Sequence, residues 1–275
     1  MRYVNLGCGS RYHARWINID IVPAGPDVIA HDLRQGIPLP DNSCEAVYHS
    51  HVLEHLRRPE ALQFLRDCYR VLKPGGILRV AIPDLERICS VYLEKLKAAL
   101  DSDSAAADYD WMMIELYDQA VREHSGGEMR ELLIRQPLPN EAFIYERIGE
   151  EGREIIHPVN HATAAPRASP LNSLRFRLES IMDRWVKVML RLMRGRQAVH
   201  AQEIGAFRLA GEVHQWMYDR YSLARLLMAA GFQQPQQQAA SESQIDNWSS
   251  FNLDTLPDGA IIKPDSLFME ATKPI

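Results

Sequence analysis

Cysteine is scarce in this chain of 275 residues, and long apolar runs are missing from it. Its cysteines are Cys8, Cys44, Cys68 and Cys89. They form no Cys-x-x-Cys pair, so we expect free thiols in a reducing compartment and neither a disulfide framework nor a cysteine-bound metal. No uninterrupted apolar stretch approaches the roughly 20 residues that span a bilayer. Because the chain enters a strand at once, we also expect no signal peptide and a cytoplasmic location.

A strong excess of charge is missing as well. The formal net charge is −5, with 24% charged and 46% hydrophobic residues. These values are ordinary for a globular protein and give no reason to expect a nucleic-acid partner. The length suffices for one large core, or for one core with an appended lobe.

What the chain does have is a short apolar strand that runs into a glycine turn, Val4-Asn5-Leu6-Gly7-Cys8-Gly9-Ser10. Glycine lets backbone N–H groups approach a ligand closely and tolerates positive φ. Two carboxylates, Asp20 and Asp32, follow at the ends of strand-like runs. This order is typical of a nucleotide-cofactor site. Each carboxylate has a structural alternative, since Asp20 can be a simple turn acid and Asp32 can cap the turn after it.

Strand-like and helical periods alternate over the first 85 residues. The apolar runs of strand length are 3–6, 16–21, 27–31, 45–49 and 77–82. A helical period covers 59–72 and is followed by Pro74-Gly75-Gly76, which we expect to end the helix. This alternation predicts a doubly wound α/β sheet.

The alternation breaks over residues 86–213, where mostly helical periods predict an insertion after the fifth strand. A polar stretch with Gly and Pro runs over 125–170. The sheet resumes with a capped helix over 222–230 and strands over 232–240 and 266–272. We therefore divide the chain into a core of 1–85 and 214–275 and a helical lid of 86–213. Ligands of open α/β sheets bind at the carboxyl ends of the strands, so this lid is predicted to form the acceptor pocket.

Several motifs together resemble the class I S-adenosylmethionine-dependent methyltransferases, in the small-molecule group called type 11. The motifs are Leu6-Gly7-Cys8-Gly9-Ser10, Asp20, Asp32, the segment 48–55, the segment 68–76 and the segment 226–232. The resemblance implies a Rossmann-like, seven-stranded sheet whose last strand is antiparallel, and S-adenosylmethionine as cofactor. It also implies methyl transfer to a small-molecule or sugar-like acceptor, for example in polysaccharide or secondary-metabolite modification.

The resemblance further implies a role for each cofactor residue. The turn of Leu6, Gly7, Cys8 and Gly9 would pass under the methionine part of the cofactor. Asp20 would accept hydrogen bonds from both ribose hydroxyls, which suits a carboxylate. Asp32 and the backbone N–H of Leu33 would contact adenine, and His49 and Ser50 would line the sulfonium side.

Histidines are the candidates for catalysis. His51 and His214 are predicted to line the acceptor pocket, with a general base among their roles. His51 and His55 have the i, i+4 spacing of a zinc helix, which also needs a third ligand elsewhere, but the resemblance explains the segment without a metal. We therefore predict no metal.

The segment 174–196 reads as a basic amphipathic helix with Trp185 on its apolar face. We favour packing on the domain or contact in a homodimer over attachment to an anionic membrane. The helix that precedes strand one in the family is missing here, so one face of the sheet needs cover from the insertion or from another subunit.

Two other functions stay open at this point. An acid after a glycine turn also suits a nicotinamide-dependent oxidoreductase, although Arg11-Tyr12 replaces the third glycine of that pattern. A non-catalytic binding protein with this fold is the second alternative.

Overall fold

The computed structural model describes residues 1–135, 137–157 and 184–275. Strands in these ranges form one sheet: β1 (Tyr3–Leu6), β2 (Ile17–Asp20), β3 (Val28–Ala30), β4 (Cys44–Ser50), β5 (Leu72–Pro83), β6 (Gln233–Gln238) and β7 (Ser266–Thr272). Their order is β3-β2-β1-β4-β5-β7-β6, and β7 is antiparallel to both of its neighbours. The predicted fold class, a Rossmann-like doubly wound sheet with an antiparallel last strand, is confirmed.

Helices in the described ranges are α1 (Arg58–Val71), α2 (Leu85–Asp101), α3 (Ala106–Val121), α4 (Gly127–Leu133), α5 (Glu141–Ile156), α6 (Arg196–Leu209) and α7 (Arg220–Ala229). Residues 184–194 are helical too. Helices α4 and α5 fall in the stretch that looked merely polar, because an arginine and a glycine, Arg147 and Gly152, stand among the buried residues of α5 and weaken its apolar period. None of the described helices has both the length and the apolar character that a membrane crossing requires.

Helix α1 follows the expected period and buries one face against the sheet. Its buried side chains are Ala61, Phe64, Leu65, Cys68 and Val71. Pro59 lies in the first turn, where its missing N–H costs nothing. Our expectation that Pro74-Gly75-Gly76 ends this helix was wrong. The helix ends at Val71, and the three residues belong to β5, since Leu72 already pairs with Cys44 of β4.

The opposite face of the sheet is covered by the segment 239–262, which connects β6 to β7. Trp248 packs edge-on against Trp16 and Tyr48, with ring centroids 6.1 and 5.1 Å apart. Phe251 and Leu253 complete this aromatic cluster. The prediction that the insertion or another subunit supplies this cover was therefore wrong, because the chain supplies it from its own C-terminal part.

A buried arginine anchors that covering segment. Arg79 of β5 is fully buried, donates to Asp254 at 2.8 Å and to Glu270 at 2.9 Å, and lies over the ring of Trp248. The Tyr48 hydroxyl donates to the other oxygen of Asp254 at 2.5 Å. Buried charges need such partners.

Helices α2 to α5 bury a second apolar core around Trp111, Met112, Leu133 and Ile144. Helix α5 is kinked at Gly149, where φ is +58° and ψ is −133°. A Cβ there would lie 2.5 Å from the carbonyl oxygen of Ile262. Glycine is thus what lets α5 approach the covering segment closely.

The basic helix expected over 174–196 is described only in part. Leu174, Leu178 and Ile181 of its predicted apolar face lie outside the described residues. Within the described part, Trp185 and Leu192 are exposed to 66% and 77%. Packing, dimer contact and membrane contact of this segment all stay predictions.

Candidate active site

A cavity of about 310 Å³ lies at the carboxyl ends of β1 and β4. The glycine turn forms one wall, and α5 with the segment 253–266 forms the others. The cavity therefore lies at the sheet edge where open α/β folds bind ligands.

The glycine turn needs glycine for two different reasons. At Gly7, φ is +64° and a Cβ would lie 2.4 Å from Cγ2 of Val52. At Gly9, φ is +51° but a Cβ would meet nothing within 4 Å, so the space above the turn is open. Cys8, between them, is buried, and burial raises the pKa of its thiol to about 11, with Asp20 adding to the rise. Leu6 is wholly buried in the core and does not reach the cavity.

Asp20 ends β2 beside this turn and orders it. Its Oδ2 accepts from the backbone N–H of Gly9 at 2.8 Å, and its Oδ1 accepts from that of Val22 at 2.9 Å. A carboxylate oxygen has two lone pairs, so each keeps one for a ligand. The side chain is half-buried, lies behind Gly9 without lining the cavity itself, and stands next to the exposed Ile21.

In the structure, Asp32 caps the turn that follows it, which is the structural alternative to a cofactor contact. Its carboxylate caps the turn of Leu33–Gln35 by accepting from the N–H of Arg34 at 3.0 Å, and it pairs with that guanidinium at 2.8 Å. The hydrogen bond from Arg34 lowers the pKa of Asp32. Neither Asp32 nor Leu33 borders the cavity, so the predicted adenine contact is not assembled in this arrangement.

His49 and Ser50 end up on opposite faces of the sheet. Ser50 lines the cavity, whereas His49 is fully buried against Phe64, with ring centroids 5.1 Å apart. Burial lowers the pKa of His49 to about 4, and neither ring nitrogen has a hydrogen-bond partner in the described ranges. Successive strand residues point to opposite faces, so the two cannot both line one pocket. The prediction for His49 is corrected on this ground.

His51 faces the cavity, and Glu54 lies behind its ring. Its φ is +54°, and its N–H donates to the carbonyl of Ala81 at 2.9 Å. The Nδ1 atom is 3.2 Å from Oε1 of Glu54, and Nε2 is 2.9 Å from the hydroxyl of Ser266. Ser266 also lines the cavity. A carboxylate behind an imidazole at a pocket wall is an arrangement typical of a general base.

Glu54 has no exposed surface. Burial alone would raise its pKa, but His51, His214 and His55 together hold that pKa well below its usual range. The carboxylate is therefore ionised behind His51 at neutral pH.

His214 lies behind His51 and Glu54 and is not part of the cavity wall. Its ring stacks edge-on against His55 with centroids 4.7 Å apart, and burial lowers its pKa to about 3. Among the residues that the structure describes, the cavity lining does not include His214. The prediction that His214 contacts an acceptor is corrected accordingly, since the Glu54 and His55 side chains occupy its surroundings.

Two ion pairs that the sequence did not reveal connect the insertion to the cavity walls. Lys263 pairs with Glu151 of α5 at 3.0 Å, and Arg11 of the glycine turn pairs with Glu154 at 2.9 Å. All four residues line the cavity. No local sequence pattern indicates these two ion pairs. The two residues of each pair are far apart in sequence, and each residue alone looks like an ordinary charged surface residue.

Residues 4–80 match the model of a family described as "Methyltransferase domain". These residues are therefore similar to that domain. A relative in Mycolicibacterium smegmatis, described as a probable S-adenosylmethionine-dependent methyltransferase, is 36% identical over 98 residues. That match covers 28% of this chain and 36% of the relative, so the chain matches little more than a third of the relative's length.

Solved structures give weaker likenesses. A SAM-dependent methyltransferase of Archaeoglobus fulgidus is 11% identical, with 99% of this chain and 86% of that chain covered at a TM-score of 0.37. One of Thermotoga maritima is 12% identical, with 99% and 82% covered at a TM-score of 0.36.

The predicted resemblance to class I methyltransferases is thus confirmed, and S-adenosylmethionine is the cofactor it indicates. The nicotinamide alternative finds no support in the family match.

Proposed function

We propose that this protein transfers a methyl group from S-adenosylmethionine to a small-molecule or sugar-like acceptor bound in the cavity described above. One observation supports this most directly. The same cavity is bordered by the glycine turn on one side and by His51, backed by Glu54, on the other. A cofactor wall and a proton-accepting group therefore face one space.

The residues at the turn fit the cofactor. The open space above Gly9 leaves room for its methionine part, and the free lone pairs of Asp20 suit the two ribose hydroxyls. Ile21, exposed to 59%, offers apolar surface beside that carboxylate for a purine. When bound, S-adenosylmethionine supplies an electrophilic methyl group on a sulfonium.

His51 moves the proton in this proposal. An acceptor hydroxyl that becomes an ether must lose its proton, and Nε2 of His51 takes it at the cavity wall. Glu54 stabilises the resulting imidazolium through Nδ1, which lies 3.2 Å from its Oε1. The hydroxyl of Ser266, 2.9 Å from Nε2, occupies this nitrogen in the free protein, and an acceptor hydroxyl would replace it there.

The remaining lining favours a polar acceptor. Lys263, Glu151 and Arg11 place charges of both signs around the cavity. Hydroxyl-rich molecules form hydrogen bonds with such groups, whereas an apolar acceptor would take them out of water and offer them no hydrogen bond beyond their own ion pairs. The insertion contributes Glu151 and Glu154, which supports its proposed role as a lid over the acceptor. A site between lid and sheet also excludes water and holds the reactants in line.

Incubation of the purified protein with methyl-labelled S-adenosylmethionine and fractionated polar small molecules tests this function. We expect labelled product and S-adenosylhomocysteine in wild type, and a large loss of turnover with retained cofactor affinity in His51→Asn. His157→Asn is the matched control, because the side chain of His157 is 65% exposed and does not line the cavity. Cofactor binding without turnover in any fraction would favour the non-catalytic alternative. Equal turnover of His51→Asn and wild type would refute the role of His51 as general base.

A further inference from the structure

Behind His51, three side chains from two distant segments converge. Glu54 and His55 lie on the turn after β4, and His214 is the first core residue after the insertion. One potential ligand atom from each lies within 4.8 Å of the others. Backbone hydrogen bonds join the two segments, since the N–H of Gln215 donates to the carbonyl of Glu54 at 2.7 Å.

Three polar atoms of this cluster lack hydrogen-bond partners among the described residues. Within residues 1–135, 137–157 and 184–275, both carboxylate oxygens of Glu54 and Nδ1 of His55 have no hydrogen bond. His51 is 3.2 Å from one of those oxygens, but outside hydrogen-bond geometry. Glu54 has no exposed surface and His214 is 8% exposed. A buried carboxylate without hydrogen-bond partners lowers the stability of the fold unless a cation neutralises it.

The donor set matches a particular class of cation. Two imidazoles and one carboxylate are ligands of zinc and of neighbouring divalent transition metals, while magnesium and calcium prefer oxygen. In a tetrahedral zinc site the ligand atoms lie about 3.3 Å apart, so the three side chains need to close in by roughly an ångström.

We propose that Glu54, His55 and His214 bind one divalent cation of the zinc class, next to the acceptor cavity and separated from it by His51. This replaces the expectation of no metal, which rested on the family resemblance, since that resemblance explains the segment around His51 and His55 without one. The third ligand is His214, and the fold brings it to the other two. The proposal does not depend on methyl transfer, because the site is complete without cofactor or acceptor.

The test is a titration of the chelator-treated full chain with Zn²⁺, with Mg²⁺ as the hard-cation comparison, followed by calorimetry. We expect one Zn²⁺ per chain, a rise in the unfolding temperature on binding, and no comparable effect of Mg²⁺. Substitution with Co²⁺ reports the coordination by its visible absorption, which is intense for a four-coordinate site. These readouts are independent of catalysis, so failure of the proposed methyl transfer leaves them unaffected.

Single substitutions test which side chains bind the metal. Glu54→Gln and His214→Asn should each weaken Zn²⁺ binding by more than the roughly 10- to 100-fold that loss of an outer partner costs. His124→Asn, at an exposed position, should bind as wild type does. If a variant fails to fold, the wild-type titration still decides. Absence of stoichiometric Zn²⁺ binding by wild type, or full binding by folded Glu54→Gln, would overturn the site and leave His51 alone to neutralise Glu54.

Discussion

Replacing Asp20 by alanine is predicted to weaken cofactor binding at least tenfold. The carboxylate oxygens already accept from Gly9 at 2.8 Å and from Val22 at 2.9 Å, and each keeps one lone pair for a ribose hydroxyl. A hydrogen bond to a charged group contributes about 1.5–3 kcal/mol. Because the side chain is only half-buried, we take the low end and count one net bond, which gives about 1.5 kcal/mol, or slightly more than tenfold.

Calorimetry with S-adenosylhomocysteine measures this loss without turnover. Asp20→Ala also removes two supports of the glycine turn, so the affinity change alone does not isolate the ribose contact. A thermodynamic cycle with the 2′-deoxy analogue does. Wild type should bind the analogue more weakly than the parent compound, whereas Asp20→Ala should bind the two almost equally.

Two controls accompany the cycle. Asp110→Ala removes an exposed carboxylate of α3 that does not line the cavity and should leave affinity unchanged. Asp20→Asn keeps the shape of the side chain, so it should preserve the turn better than alanine while still losing affinity. Equal affinity of folded wild type and Asp20→Ala, or an unchanged analogue penalty in the variant, would refute the assigned contact.

Three further substitutions test the surrounding structure. Arg79→Met leaves Asp254 buried without its cation, so the free energy of unfolding in urea should fall by about 3–5 kcal/mol; a change below 1 kcal/mol would contradict the anchoring role. Gly149→Ala forces a Cβ against the carbonyl of Ile262 and should reduce turnover while sparing cofactor affinity; unchanged kinetics would show that α5 does not shape the acceptor site. The pKa of His49 is about 4 in the folded chain and 6.5 in the unfolded chain. Between these pH values the unfolded chain binds a proton at His49 and the folded chain does not. The contribution of His49 to the free energy of unfolding therefore falls by about 1.4 kcal/mol per pH unit from pH 6.5 down to about pH 4. His49→Leu should reduce the slope of urea-unfolding stability over that range by about 1.4 kcal/mol per pH unit, because the buried His55 and His214, whose pKa values are also lowered, keep slopes of their own. A slope equal to that of wild type would disprove the assignment.

The sequence determined the features that arise within about a dozen residues. The strand before Gly7, the glycine turn itself and the helical period of α1 are local patterns, because side-chain alternation and backbone freedom depend on near neighbours. The position of Asp20 at the end of β2 follows from the same periodicity.

Only the tertiary structure decided which polar side chains meet. Asp32 pairs with Arg34 instead of facing a ligand, and the buried Arg79 draws the 239–262 segment over the open face of the sheet. His214 joins Glu54 across the whole insertion. Such meetings depend on how distant segments pack and on where buried charge must be neutralised, and neither quantity is written in the spacing of neighbouring residues.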